Sequence, residues 1–393
     1  MRVRSRSLPA DITLWLAAIG LAVAMSTIAS NGRGAAIITA RLGLIAVGSP
    51  SVWPVIGAAA LAALLVGVRR WVASRPWPVL QLLSGLAAGG WSTLLVLARH
   101  PAFPDEPRTA FFGAGYADAL SSLVGVSPVL SALVVGLTAG AAVVLVNAAV
   151  QSLAGETQAR RYACVAPLIP LAAWSADGHA ALTMLWAGGV IALGAMASER
   201  GRGLAWSTGL GLISGLLLAG AALTSFAATA TGIGLLCIYF LRRRSLMIIV
   251  SALGLVAGLG VAGLLGWSWP AQFGAESAAR FASASSLIVT LILIAVLAVA
   301  AGGLATVESL RKTRSTPAWP LLVTALVGVV IGVFTMPAHL GPLAVLAPWQ
   351  VFLMVACVAP DVPAGRPAGP SRTAAALTAV AGAMVTLGAV LAG

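Results

Sequence analysis

The chain has 393 residues, of which 60% are hydrophobic and 8% are charged, and its formal net charge is +13. Soluble domains are about 45–50% apolar and about 25% charged, so this composition excludes an ordinary water-exposed globular protein. The positive charges stand in short clusters between apolar runs, without interleaved aromatic residues, which argues against a nucleic-acid partner. Membrane lipid is therefore the expected surrounding of the protein.

Apolar runs of roughly 17–24 residues match membrane-spanning helices, whereas the strands of a membrane barrel need only about ten. Backbone groups in lipid must be satisfied internally, so these runs predict helices. The fold class is all-α, a polytopic transmembrane helical bundle with about thirteen spans. The predicted spans are 11–29, 52–68, 77–97, 128–151, 162–176, 180–198, 204–222, 224–241, 245–266, 282–303, 318–335, 340–357 and 372–392.

The basic residues predict the orientation of this bundle in a plasma membrane. With the N-terminus inside, the C-terminus outside and the spans alternating, the inner loops carry most of the 23 lysines and arginines, as cytoplasmic loops do. The short span 162–176 contains Pro167 and Pro170 but is retained, because removing it would place the basic cluster 242–244 outside. The arginines that remain outside are Arg33, Arg41, Arg99, Arg108 and Arg280.

The whole chain is predicted to form one integral membrane domain, since no soluble domain and no nucleotide-binding motif interrupts it. Glycine pairs four residues apart, Gly211/Gly215 and Gly254/Gly258, predict close approach of helices. Within the domain 1–393 we distinguish the three N-terminal spans in 1–97, the outer loop 98–127, the core 128–303 and the C-terminal spans in 304–393.

The outer loop 98–127 is the most informative segment for chemistry. It opens with Arg99 and His100 and contains the acidic pair Asp105 and Glu106. Apolar residues then recur at helical spacing, which predicts a short amphipathic helix in the membrane interface. These residues are Phe112, Tyr116, Leu120 and Leu123. The acidic pair would act as a general base or hold a metal ion; an ordinary polar loop is the alternative.

Two further outer segments hold candidate polar residues. Asp177 and His179 stand in a turn between two spans and would line a cavity. Alternatively, Asp177 caps the helix that begins near residue 180, and His179 lies among the lipid headgroups. Glu276 and Arg280 are four residues apart, so they would face a substrate or pair with each other on a helix.

The stretch Val143–Arg202 resembles the GT-C class of membrane glycosyltransferases, which take sugars from polyprenyl-phosphate donors. The likeness is greatest to the actinobacterial mannosyltransferase-like members. It rests on a span, the basic turn Gly155-Glu-Thr-Gln-Ala-Arg160-Arg161, the segment Ala166-Pro167-Leu-Ile-Pro170, and the polar turn Ser175-Ala-Asp177-Gly-His179 before an apolar span. A glycine-rich span from Gly209, ending in the polar Thr224-Ser225, extends it. The resemblance implies a GT-C-like core at 128–303.

The resemblance also implies a chemistry at the outer face. Asp105 or Glu106 would activate the acceptor hydroxyl, in some members with a divalent metal, although the three cysteines show no metal-binding spacing. The donor would be a polyprenyl-phosphate-linked sugar, and the acceptor a cell-envelope glycan or lipid of a bacterium. The implied substrate-binding residues are Arg99, His100, Arg108, Asp177, His179, Glu276 and Arg280.

Two other functions stay open. A multi-span transporter or lipid flippase would place polar residues along a path through the bilayer, and the scarcity of charged residues within the spans disfavours it. A non-catalytic membrane scaffold would keep the GT-C architecture without the chemistry.

Overall fold

The computed structural model describes residues 74–99, 127–168, 179–281, 317–335 and 345–353, together with single helical positions elsewhere. These ranges are helical throughout, apart from short turns, and contain no strand, which confirms the all-α prediction for this part of the chain. The predicted spans 11–29, 52–68, 282–303 and 372–392 lie outside these ranges.

Most predicted spans within the described ranges coincide with one helix to within a few residues. The α-helices are α1 (Trp77–Arg99), α2 (Pro128–Ala154), α3 (Glu156–Val165), α4 (His179–Ala197), α5 (Leu204–Thr224), α6 (Ala230–Leu241), α7 (Ser245–Leu264), α8 (Trp269–Phe281), α9 (Trp319–Thr335) and α10 (Gln350–Leu353). Short 3₁₀ helices occupy Ala166–Leu168, Phe226–Thr229 and Ala347–Trp349.

Four helices, α2, α4, α5 and α7, are long and apolar enough to cross a membrane, and α9 is a shorter apolar helix. Large apolar side chains on the described helices point away from the bundle; Leu137 is 68% exposed and Phe240 is 79% exposed. An apolar exterior of this kind is unfavourable in water and favourable in lipid. The helices and their exterior therefore indicate a membrane protein.

α1 with α2 and α4 with α5 run antiparallel, whereas α2 with α4 and α5 with α7 run parallel. The helix ends therefore gather at two distinct ends of the bundle. At one end, side chains of Arg160, Arg202 and Arg242 reach the ends of α1 to α6, and we call this the basic end. At the other, His179 at the start of α4 contacts Thr224 at the end of α5, and we call this the His179 end.

Glycines bring α1 and α2 into backbone contact. A Cβ added at Gly89 would lie 2.8 Å from the carbonyl oxygen of Gly136, and one added at Gly136 would lie 2.6 Å from that of Gly89. Gly85 and Gly140 face each other in the same way one turn further along. Real Cβ atoms do not approach carbonyl oxygens so closely, so only glycine permits this packing.

The close helix approach predicted at the glycine pairs is confirmed, and the two pairs lie on helices that pack against each other, α5 and α7. Gly215 lies directly against the backbone of Ser251, and Gly254 lies against the backbone of Leu212. The hydroxyl of Ser251 donates a hydrogen bond to the carbonyl of Gly211 at 2.9 Å, which ties the two backbones together. α7 packs mainly on α5 and much less on α6.

The predicted span 162–176 begins earlier than expected, as the helix α3. Gly155, with φ of 87°, reverses the chain directly after α2, and Glu156 stands in the first turn, where a carboxylate is favourable. The α-helix ends at Val165 because Pro167 has no N–H to bond the carbonyl of Ala163 four residues earlier. The chain continues as the 3₁₀ helix Ala166–Leu168, and residues 169–178 lie outside the described ranges.

The carbonyl that Pro167 leaves without a donor is satisfied from α1. The hydroxyl of Ser84 donates to the oxygen of Ala163 at 2.8 Å, and the side-chain amide of Asn147 donates to the Ser84 oxygen at 3.1 Å. Ser84, Asn147 and Ala163 are all buried. In an apolar surrounding a backbone group needs such an internal partner, so this chain of bonds stabilises the end of α3.

The predicted span 224–241 is divided. Ser225 is extended, with φ of −153° and ψ of 134°, and it separates α5 from the 3₁₀ helix Phe226–Thr229. The α-helix proper, α6, starts only at Ala230. The break places Thr224, Ser225 and Phe226 at the His179 end.

Candidate functional site

The predicted catalytic pair, Asp105 and Glu106, lies outside the described residues, and so do His100, Arg108 and Asp177. Their roles stay predictions. Arg99 is the last residue of α1, and Glu276 and Arg280 lie on α8, as the helical interpretation expected, but the side chains of these three residues are not described. His179 is the predicted site residue whose side chain is placed.

His179 is the first residue of α4 and is half-buried. Its Nε2 lies 3.2 Å from the carbonyl oxygen of Thr224, the last residue of α5. The last carbonyls of a helix have no hydrogen-bond donor within the helix. An Nε2–H of His179 therefore supplies the donor for the Thr224 carbonyl. The contact fixes the imidazole ring between the ends of two apolar helices.

Further residues with polar groups lie on the same face of α4 as His179, deeper in the bundle. His179, Thr183 and Trp186 follow at intervals of four and three residues, which places them on one side of the helix. The ring of Trp186 packs against Gly220 of α5, where an added Cβ would lie 2.8 Å from it. This face of α4 therefore packs on the last turns of α5, near Thr224.

Two donors on this face are buried without a hydrogen-bond partner among the described residues. They are the hydroxyl of Thr183 and the indole N–H of Trp186. A buried polar group left unsatisfied costs about 1–3 kcal/mol, and native proteins leave few of them. Each such donor is a place where an oxygen of a water or a bound molecule is favourable.

An aromatic cluster lies at the same end of the bundle. Trp269 of α8 stacks on Phe273, with ring centroids 5.0 Å apart, and meets Phe226 edge-on at 5.7 Å. Phe226 follows two residues after Thr224. The indole N–H of Trp269 is also buried without a partner among the described residues. We call the set His179, Thr183, Trp186, Thr224 and Trp269 the His179 site.

The basic end has a different character, because its described acids are already paired. Glu156 bonds Arg160 at 2.7 Å and Glu199 bonds Arg202 at 2.6 Å. Neither carboxylate is therefore a candidate for acid–base chemistry.

Arg242 binds the ends of three helices together at the basic end. It follows the last residue of α6, and its guanidinium donates to the Ala195 carbonyl at 2.6 Å, to the Ser198 hydroxyl at 3.0 Å and to the Ser152 carbonyl. Partial burial lowers the pKa of Arg242, while the charge of Glu199 opposes that shift. Sequence reasoning had assigned Arg242 to the orientation signal alone; its position directly after a helix marks it as a cap of helix carbonyls.

Within the described ranges, no group of three or more histidine, cysteine, aspartate or glutamate side chains is placed to hold a metal ion. Comparisons with known protein families, with curated proteins and with solved structures find no match to this chain. The arguments for function therefore rest on the chain's own residues.

Proposed function

We propose that the chain is a multi-pass plasma-membrane protein with about thirteen spans, its N-terminus in the cytoplasm and its C-terminus outside. The placement of Arg160, Arg202 and Arg242 at one end of the described bundle supports this topology, since cytoplasmic loops carry the excess of basic residues. In this orientation the His179 site faces the outer side of the membrane.

We further propose that the protein is a GT-C-like glycosyltransferase that uses a polyprenyl-phosphate-linked sugar at the outer face. The observation that supports this most is the set of buried donors without partners in the His179 site, on Thr183, Trp186 and Trp269. Sugar hydroxyls and phosphate oxygens are acceptors, so an oxygen-rich ligand would satisfy donors that the protein leaves open. Interfacial tryptophans suit a ligand whose tail lies in lipid.

The proposed reaction needs three functions from the chain. Asp105 or Glu106 would take the proton of an acceptor hydroxyl as its oxygen forms a bond to the anomeric carbon of the sugar. The bond between that carbon and the phosphate oxygen breaks, and the electron pair leaves with the polyprenyl phosphate. Arg99, Arg108 or Arg280 would stabilise the negative charge on the departing phosphate.

The test is transfer of radiolabelled sugar from polyprenyl-phosphate donors in membranes that express the full chain. We expect activity in the wild type and its loss in the double variant Asp105→Asn, Glu106→Gln. Glu156→Gln removes a carboxylate at the basic end and serves as the matched control, which we expect to retain activity. Activity that persists in the double variant would move the base elsewhere, first to Asp177.

His179→Phe gives a second arm of the same assay, because it removes the contact with Thr224 while keeping a ring of similar size. We expect weaker transfer with unchanged expression. If the wild type transfers no sugar from any donor, the glycosyltransferase proposal fails, and a scaffold or a transporter becomes the better interpretation.

One observation favours the transporter as the second candidate. The α-helix α3 ends at Val165, and the Ala163 carbonyl in its last turn accepts a hydrogen bond from buried Ser84, which in turn accepts one from Asn147. Interrupted helices with polar groups at their ends are characteristic of transporter binding sites. Reconstituted vesicles that accumulate a solute in proportion to the protein, with no sugar transfer, would support this candidate.

A further inference from the structure

An apolar groove runs along the outside of the bundle where α6 and α7 diverge. It encloses about 400 Å³, with α5 as its floor, and side chains such as Leu236, Ala252 and Leu255 form its walls. The polar side chains of Tyr239 and Ser251 also line it, but they are hydrogen-bonded to each other at 2.9 Å. The groove therefore offers an apolar surface to a ligand, and its two hydrogen-bonded polar side chains need no further partner from that ligand.

The length of the groove matches one leaflet of a bilayer. Its lining residues on α7 extend from Ile248 to Leu259, a rise of about 16 Å at roughly 1.5 Å per residue. Half of a hydrocarbon core about 30 Å thick is about 15 Å.

The two ends of the groove differ in charge. Toward the His179 end it is bounded by Trp269, which is stacked on Phe273. Toward the basic end it finishes at Tyr239 and Ile248, about one helical turn from the connection 242–244 that joins α6 to α7. The basic end offers exposed arginines, whereas α8 at the aromatic end carries one arginine, Arg280, together with one acid, Glu276, so the formal charges of that helix cancel.

Arg200 and Arg243 are the cations available there. Both are exposed, and neither side chain has a hydrogen-bond or ion-pair partner among the described residues. Arg200 lies close enough to Arg242 for the two charges to repel. The nearby carboxylate of Glu199 is occupied by Arg202 and by the hydroxyl of Ser152. An unbalanced positive charge therefore lies at the basic end, where the groove finishes about one helical turn from the connection 242–244.

We infer that this groove binds an anionic phospholipid, with one acyl chain between α6 and α7 and its phosphate held by Arg200 and Arg243. Charge complementarity selects an anionic headgroup, and the match in length selects a lipid tail from the leaflet at the basic end. Basic residues at the membrane surface between spanning helices bind such headgroups. The phosphate would lie at the opposite end of the bundle from His179, and Trp269 is the one residue of the His179 site that lines the groove. Lipid binding therefore does not depend on the proposed function.

The test titrates the delipidated full-length protein in detergent with dioleoylphosphatidylglycerol and counts bound lipid by native mass spectrometry. We expect one tightly bound phosphatidylglycerol and much weaker binding of dioleoylphosphatidylcholine. The double variant Arg200→Gln, Arg243→Gln should bind phosphatidylglycerol about 30-fold more weakly, at roughly fivefold for each charge lost.

A pair of variants on α7 tests the groove itself. Ala252→Phe places a ring in the groove and should reduce phosphatidylglycerol binding. Leu253→Phe adds a ring on the neighbouring residue, which is 61% exposed and does not line the groove, and should leave binding unchanged. Equal reduction by both variants would overturn the proposal.

Two further results would also overturn it. One is equal affinity for phosphatidylglycerol and phosphatidylcholine, which would show a tail site without headgroup recognition. The other is a protein that is dimeric by mass and retains no lipid, which would show that a second copy covers the groove.

Discussion

Replacing Ser84 with alanine tests the chain of buried hydrogen bonds at the end of α3. The change removes the donor to the Ala163 carbonyl and the acceptor of the Asn147 amide, at 2.8 and 3.1 Å. A buried group left unsatisfied costs about 1–3 kcal/mol, whereas hydrogen bonds between membrane helices average only about 0.6 kcal/mol. With two bonds lost, we expect the free energy of unfolding to fall by about 1–3 kcal/mol.

The assay is unfolding in mixed micelles, with sodium dodecyl sulfate as the denaturant and helix content followed by circular dichroism. Ser92→Ala is the matched control. Ser92 lies on the same helix and is equally buried, but its hydroxyl has no hydrogen-bond partner among the described residues. Removing it should cost little.

A double-mutant cycle with Pro167 identifies the cause. Pro167→Ala supplies an N–H that can bond the Ala163 carbonyl, so Ser84→Ala should cost about 1 kcal/mol less in that background. If Ser84→Ala costs no more than Ser92→Ala, or if the effects of Ser84→Ala and Pro167→Ala are additive, the hydroxyl does not replace the missing donor and the reasoning is wrong.

Two further predictions concern the ends and the packing of the bundle. Arg242→Gln should lower the free energy of unfolding by about 2–4 kcal/mol, because a charged donor to several helix ends is lost. Arg243→Gln changes the exposed neighbouring residue and should alter the free energy of unfolding by less than about 0.5 kcal/mol. Equal losses in the two variants would contradict the role of Arg242. Gly89→Leu should separate α1 from α2 at Gly136 and sharply reduce the yield of folded protein by gel filtration. Gly90→Leu, where an added Cβ meets nothing within 4 Å, should fold normally, and a normal yield for both would refute the close-contact argument.

The helices that were predicted well from the sequence are those whose formation depends only on residues within the same segment. The runs that form α2, α4, α5 and α7 are apolar over their whole length. The glycine pair Gly211/Gly215 allows the close helix approach that its spacing predicts. A run of apolar residues needs no knowledge of its neighbours to be stable as a helix in lipid.

The start of α3 could not be placed from the sequence, because the segment after Gly155 is polar and hydropathy does not mark it. Its end depends on Ser84, which is 79 residues away from the Ala163 carbonyl that it bonds. A contact of that separation is a property of the assembled bundle.

The candidate site also has a part that could be predicted from local sequence and a part that depends on the packing of the helices. The spacing of His179, Thr183 and Trp186 is readable in the sequence, yet the contact of His179 with Thr224 is set by the packing of α4 on α5. The role of Arg242 depends on the convergence of three helix ends. The catalytic assignment of Asp105 and Glu106 stays a prediction from the family resemblance.

The polar character of α3 has a consequence for the order in which the chain is inserted during synthesis. α3 has 10 residues and includes Glu156 and Arg160, so it is too short and too polar to partition into lipid alone. Its hydrogen-bond partner Ser84 is on a helix that leaves the ribosome earlier, and α1 and α2 are already paired through their glycines. We therefore expect α3 to insert only once α1 and α2 are in place. Its last contact, from the Tyr162 hydroxyl to the carbonyl of Val351 at 2.6 Å, forms only after a further 189 residues have been made.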